Sequence, residues 1–190
     1  IHTARVEPGA TVAVIGCGGV GLSCINGAAI DGASRVIAVD RVASKLELAR
    51  KFGATDVVNA GETDAIEAVK DLTDGGVHYS FEAIGLKVTA EQAFGMLRNG
   101  GTATVIGMIP PGDLVSLHGP DFLFEKQFQG SFMGSNWFRV DMPRFVELYL
   151  QGKLHLDEMV SSHIKLEDLN DAMAQLETGE IARNVILFDA

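Results

Sequence analysis

Gly16, Gly18 and Gly21 stand at G-x-G-x-x-G spacing, directly after the apolar run Thr11 to Ile15 and at the opening of an Ala-rich stretch. The chemistry that needs this spacing is diphosphate binding. A glycine at the first position permits a tight turn out of a strand, and one at the second lets the backbone approach the phosphates. The third lets a helix pack close to the sheet. Gly19 and Val20 complete the turn. Amides at a helix start have no intrahelical acceptor and carry the positive end of the dipole, so they receive phosphate oxygens. Nineteen residues past Gly21, Asp40 closes a second apolar run. A carboxylate there accepts hydrogen bonds from both ribose hydroxyls of an adenosine and repels the 2'-phosphate of NADP, so the expected cofactor is NAD. Arg41 is an open point, since an arginine beside that carboxylate stacks on adenine in some sites and meets a 2'-phosphate in others.

Other chemistries use related parts. Methyltransferases place a glycine-rich first turn and an acidic residue around an adenosyl cofactor, and FAD can occupy the same fingerprint. The five histidines (His2, His78, His118, His155 and His163) and the two cysteines (Cys17 and Cys24) show no metal-ligand spacing. Cys17, between the first two glycines, is expected to pack beneath the turn, and Ser23 has no base at a recognisable distance. No catalytic residue and no metal ligand is assigned in this chain.

The elements that must position these residues alternate. Strand patterns at Thr11–Ile15, Arg35–Val39, Asp56–Asn59, Val77–Ala83 and Thr102–Ile106 are separated by helical ones. Leu46, Ala49 and Phe52 share one helical face with Gly53 as terminator, and Asp64 and Glu67 bracket the start of another helix. Thr89 and Gln92 form a capping-box pair before the stripe Ala90, Ala93, Phe94 and Leu97. Short apolar strands separated by helices predict an α/β fold, a Rossmann-type doubly wound parallel sheet with helices on both faces. After Gly107 the rhythm loosens, and Leu114–Leu117 reads as an exposed edge strand. A helix–helix–strand unit follows. Its stripes are Met142, Phe145, Val146 and Tyr149, then Leu169, Ala172, Met173 and Leu176 ending near Gly179, and its strand is Val185–Phe188. The boundary falls at Met133 to Asn136.

Composition sets outer limits. The chain has 190 residues, 47% hydrophobic and 21% charged, which fits a packed domain and excludes a disordered one. Its net charge of -10 argues against nucleic acid and anionic lipid as partners. No apolar window is long enough for a membrane span, and two cysteines make no disulfide scaffold, so a reducing, cytoplasmic setting is expected. The start at Ile1, without methionine, predicts a fragment of a longer protein.

The segments VEPGATVAVIGCGGVGL (Val6 to Leu22), VIAVDRVASKLELARKFGATDVVN (Val36 to Asn59), SFEAIG (Ser80 to Gly85), GTATVIGM (Gly101 to Met108) and GEIARNVILF (Gly179 to Phe188) resemble, in order, the C-terminal half of a zinc-dependent medium-chain alcohol dehydrogenase. The run Ser135 to Ser161 is most similar to the bacterial class-III-like branch, which includes thiol-dependent formaldehyde dehydrogenases. The resemblance implies an NAD-dependent oxidoreductase acting on a small alcohol or aldehyde. It implies a zinc ion held by an upstream domain absent from this chain, and assembly as a homodimer or homotetramer. It divides the chain into a dinucleotide-binding domain, 1–133, and a segment, 134–190, returning to a catalytic domain. It also implies that Lys45 reaches the adenosine ribose and Arg183 the diphosphate. Ile84, Gly85, Ile106, Gly107, Met108 and the backbone of Met133 would line the nicotinamide end. Leu86, where some members carry arginine, would make the adenine edge less polar. A stand-alone NAD-binding regulatory module and a zinc-independent quinone or enoyl reductase are the alternatives.

Overall fold

The computed structural model describes residues 2–177 and 181–188. Six parallel strands form one sheet: β1 (Thr11–Ile15), β2 (Arg35–Asp40), β3 (Asp56–Asn59), β4 (Val77–Glu82), β5 (Leu97–Val105) and β6 (Gln127–Gly130). Helices α1 (Gly19–Ile30), α2 (Ala43–Lys51), α3 (Ala65–Thr73) and α4 (Lys87–Gly95) join the first five. The spatial order is β3-β2-β1-β4-β5-β6, so the winding direction reverses between β1 and β4. In such a sheet the crevice beyond the strands' C-terminal ends opens at that reversal. This is the Rossmann-type architecture expected from the alternation of elements.

Both faces of the sheet are packed with buried side chains. Val12 and Val14 pack with Leu22, Ile25, Leu46 and Phe52 on one side. Ala13 and Ile15 pack with Val69, Phe94 and Leu97 on the other. Alternate residues of β1 thus enter opposite cores, because side chains alternate across a pleated strand. At the expected terminator Gly53, φ is +104°, and at the α3 start Asp64 accepts from the amides of Ile66 and Glu67.

Two local expectations are corrected. Leu114–Leu117 forms no strand; Ser116 donates its amide to Glu91 Oε1 at 2.8 Å, and Leu117 drops its side chain against the core. The edge is β6 instead. There Phe128 meets Phe94 edge-on with ring centroids 6.1 Å apart, Phe122 lies tilted 5.2 Å from Phe94, and Gln129 Nε2 donates to Thr104 Oγ1 at 3.1 Å. Nor does Thr89 cap a helix with Gln92. α4 starts two residues earlier, at Lys87, and Leu97 belongs to β5. The Thr89 hydroxyl is drawn inward because a buried acceptor, Glu82, lies below it.

The remaining elements are α5 (Phe138–Leu150), β7 (Ser162–Ile164), α6 (Leu169–Glu177) and β8 (Asn184–Ile186), with β7 and β8 forming a second, parallel pair. The expected helix–helix–strand unit is present, with β7 added. The expected end of α6 near Gly179 lies outside the described residues. Asn26 on α1 anchors this unit, donating to the Lys153 carbonyl at 3.1 Å and accepting from the His155 amide at 3.0 Å. Phe52 and His155 stack edge-on, and Met159 joins the core. Among the described residues no helix is long and apolar enough to cross a membrane.

Candidate functional site

The β1–α1 turn is built around missing side chains. Gly16 has φ +94°, and a β-carbon there would lie 2.6 Å from Ile84 Cγ1. At Gly21 a β-carbon would run into the Gly16 carbonyl, so the helix could not seat against the turn. Gly18 differs from both. It caps α1 without a side chain, and a β-carbon there would meet no protein atom within 4 Å. The first turn of α1 carries no acidic residue, and Val20 faces solvent. The result is a helix start with free amides opening onto accessible space, which is what an anion receptor requires.

Asp40, at the end of β2, faces this turn. Its Oδ2 accepts the Cys17 amide at 2.8 Å, while Oδ1 accepts the amides of Arg41 and Val42 at 2.7 and 3.0 Å. A carboxylate offers about four lone-pair sites, so three amide bonds fix its orientation and leave acceptor capacity on the side of the turn. Lys45, on α2, is close enough to pull against the rise in the Cys17 thiol pKa. Burial and the Asp40 carboxylate win that contest and push the thiol up to about 12. Cys17 is thus a protonated packing residue, as its position suggested.

Arg183 arrives from the far end of the chain. Its Nη2 would lie 3.5 Å from a β-carbon on Gly19, beside the first turn of α1. Ser161 holds it there: its amide donates to the Arg183 carbonyl at 2.7 Å, and its hydroxyl accepts the amides of Ala182 and Arg183. The site therefore joins a helix dipole and a guanidinium, both favourable to negative charge.

On the other side of the crevice the loops after β4 and β5 touch. A β-carbon on Gly85 (φ +92°) would lie 2.6 Å from the Met108 carbonyl oxygen, and one on Gly107 would collide with the Gly85 amide. Ile84 and Met108 expose 49% and 88% of their surface at this end, and Ile106 is half-buried against the core. Gly16, Gly18, Gly19, Val20, Gly21, Asp40, Arg183, Ile84, Gly85, Ile106, Gly107 and Met108 thus all lie at the C-terminal ends of β1, β2, β4 and β5. Met133, after β6, stands further out, exposed and with φ +50°. Arg41 is exposed on the rim. Three residues that hold this arrangement escaped the sequence reading: Glu82, Asn26 and Ser161. Two of them carry a signal, a charged residue inside the apolar run SFEAIG and an asparagine inside the Ala-rich helix.

Residues 19–151 match the family model described as zinc-binding dehydrogenase. The chain belongs to this family. Alcohol dehydrogenase-like 1 of Arabidopsis thaliana is 37% identical over 190 residues, covering 98% of this chain and 49% of the relative. Among solved structures, an alcohol dehydrogenase zinc-binding domain protein from Burkholderia ambifaria superposes with a TM-score of 0.96 at 32% identity, over 100% of this chain and 51% of that one. Benzyl alcohol dehydrogenase from Acinetobacter calcoaceticus gives 0.94 at 33%, over 98% and 51%. The chain therefore spans about half the length of the relatives it matches. By fold and family it is related to NAD(P)-dependent oxidoreductases. Among the described residues, no three His, Cys, Asp or Glu side chains stand together in a way that would hold a metal ion.

Proposed function

We propose that this chain is the cofactor half of an NAD-dependent alcohol dehydrogenase, and that it receives the adenosine diphosphate on the β1–α1 turn. The observation that carries the reading is the Asp40 carboxylate, tied at 2.8 Å to the Cys17 amide within that turn and beside the open face of Gly18. A sugar seated there would meet an acceptor held in place by three amides, with Lys45 approaching from α2. The amides of Gly18, Gly19, Val20 and Gly21 would take the phosphates, and Arg183 would neutralise their charge. Ile84, Gly85, Ile106, Gly107, Met108 and Met133 would shape the nicotinamide end and keep water from one face of the ring. When bound, NAD supplies the hydride acceptor for oxidation of an alcohol, or the donor for the reverse reduction.

Zinc does not fit this chain's described residues, so no step here passes through it, and its ligands belong to the part of the relatives' length not covered. On this reading residues 1–133 form the dinucleotide-binding domain and 134–190 return to a catalytic domain. The run Ser135 to Ser161 supports the class-III-like branch, and a homodimer or homotetramer is the expected assembly. Cys17 and the histidines remain outside the chemistry.

Calorimetric titration tests the reading. NAD is expected to bind at least about tenfold more tightly than NADP, and Asp40→Ala to bring the two nearly level by removing both the sugar acceptor and the repulsion. Equal or tighter binding of NADP by the unaltered chain would refute the NAD preference. Strong turnover of an alcohol by this chain alone would refute the division of labour.

A further inference from the structure

The end of β4 buries a carboxylate that the proposed cofactor contacts leave unused. Glu82 is fully buried. Its Oε1 accepts three hydrogen bonds, from the amides of Ile84 and Gly85 at 2.9 and 2.8 Å and from the Thr89 hydroxyl at 2.8 Å. Its backbone carbonyl accepts the amides of Ile106 and Gly107 at 2.9 and 3.0 Å. One residue thereby ties the loop after β4 to the loop after β5. The second carboxylate oxygen, Oε2, is buried and meets no donor among the described residues. It lies against Gly107, where a β-carbon would press on it.

A buried carboxylate with an idle oxygen is costly compared with an apolar side chain. Buried polar groups of this kind therefore call for a reason. Hydrogen bonding explains the choice of side chain, because Oε1 gathers the two loop amides and the Thr89 hydroxyl, which an apolar group could not do. Position explains what is held. Gly85 and Gly107 come into van der Waals contact directly above Glu82, and the loops they belong to present Ile84 and Met108 to the crevice. The β1–α1 turn and Asp40 are fixed by other bonds, to Cys17, Arg41 and Val42.

We propose that Glu82 is a positioning residue for the nicotinamide half of the bound dinucleotide, setting the separation of the β4 and β5 loops without touching the ligand. The inference rests on the NAD reading and deepens it. It predicts that damage at Glu82 is felt much more by the nicotinamide half of the cofactor than by the ADP-ribose half, whose turn the β4 loop touches through Ile84 at Gly16. ADP-ribose, which lacks the nicotinamide ring, separates the halves.

The experiment measures dissociation constants of NAD and ADP-ribose for the intact protein and its variants. Glu82→Asp keeps the carboxyl group but withdraws it by one methylene. It is expected to weaken NAD about tenfold and ADP-ribose by less than about twofold, the size of effect that lost positioning produces. Glu82→Gln keeps an Oε1 acceptor and is expected to stay within about threefold of the unaltered protein for both ligands. Thr89→Val removes one donor while leaving the carboxylate in place, and should weaken NAD alone by about threefold, which makes it decisive where Glu82→Asp does not fold. Equal loss of both ligands, or undiminished NAD binding, in the folded Glu82→Asp or Thr89→Val protein would overturn the inference while leaving the NAD reading intact. Failure of the unaltered protein to bind either ligand would overturn both.

Discussion

Helices α2 and α5 carry apolar stripes of similar strength, yet only one of them is covered. In α2, Leu46, Ala49 and the following Phe52 are sealed between the sheet and α1. In α5, Met142, Val146 and Leu150 face outward, Val146 with 52% and Leu150 with 72% of its surface exposed, while Phe145 and Leu148 are half-buried. The buried residue of α5 is the acidic one. Asp141 accepts the Trp137 amide at 2.8 Å and lies 3.5 Å from the Arg144 guanidinium and 3.7 Å from the His2 ring. Periodicity therefore specifies a helix and an apolar face, while the partner for that face is a separate matter. α2 finds its partner within the sheet it follows. Much of the α5 stripe is left over, and this fits a segment whose proposed counterpart lies in the part of the relatives' length not covered here.

Substitutions can sharpen this contrast. Phe52→Ala should produce the largest loss, about 3–5 kcal/mol, because a fully buried ring leaves a cavity between two packed layers. A chemical denaturation midpoint reads it directly. Gly21→Ala comes next, at about 1–3 kcal/mol, since its methyl group has to displace the Gly16 carbonyl. Gly18→Ala should leave the melting temperature almost unchanged and lower NAD affinity by about tenfold or more, because the new methyl group occupies only the space assigned to phosphate. If both glycine variants lost stability alike, the open face at Gly18 would have no special meaning.

The Cys17 thiol offers a pH test within the same buried region. Its pKa is raised from 9.0 to about 12 by burial and by Asp40. Folding thus favours the protonated thiol, so its contribution is complete below about pH 9 and is lost as pH climbs toward 12. Native protein at pH 8 should resist iodoacetamide at Cys17 until it is unfolded, as followed by mass spectrometry. Rapid labelling of the folded chain would show the turn to be open beneath. Smallest of all, Val146→Ser on α5 should shift stability by less than about 0.5 kcal/mol, against the several expected at Phe52. A loss above about 1 kcal/mol would mean that the outward face of α5 at Val146 is covered within this chain.

Much of the candidate site is legible in the sequence because its logic is local. Gly16, Gly18 and Gly21 follow a strand by one turn, and Asp40 closes the neighbouring strand, so pleat and helix geometry alone bring them to the same end of the sheet. Glu82 was harder, since its role depends on two loops separated by a whole helix and strand. Thr89 differs from its sequence pattern for the same reason. As a sequence it has the look of a cap, but a buried acceptor on another element takes its hydroxyl.

Sequence by itself determined the alternation of strand and helix, the glycine turn and the acidic end of β2, because each depends on residues within a few positions of one another. Tertiary structure decided which stretch after Gly107 became the edge of the sheet. Leu114–Leu117 has the better strand pattern, but Gln127–Gly130 can set Phe128 on Phe94 and bond Gln129 to Thr104. Tertiary structure alone also brought Arg183 to Gly19, through Ser161 and the docking of Lys153 and His155 on Asn26. Contacts that join the two ends of a chain leave no periodic trace in it, because they depend on shapes that exist only once the intervening layers have packed.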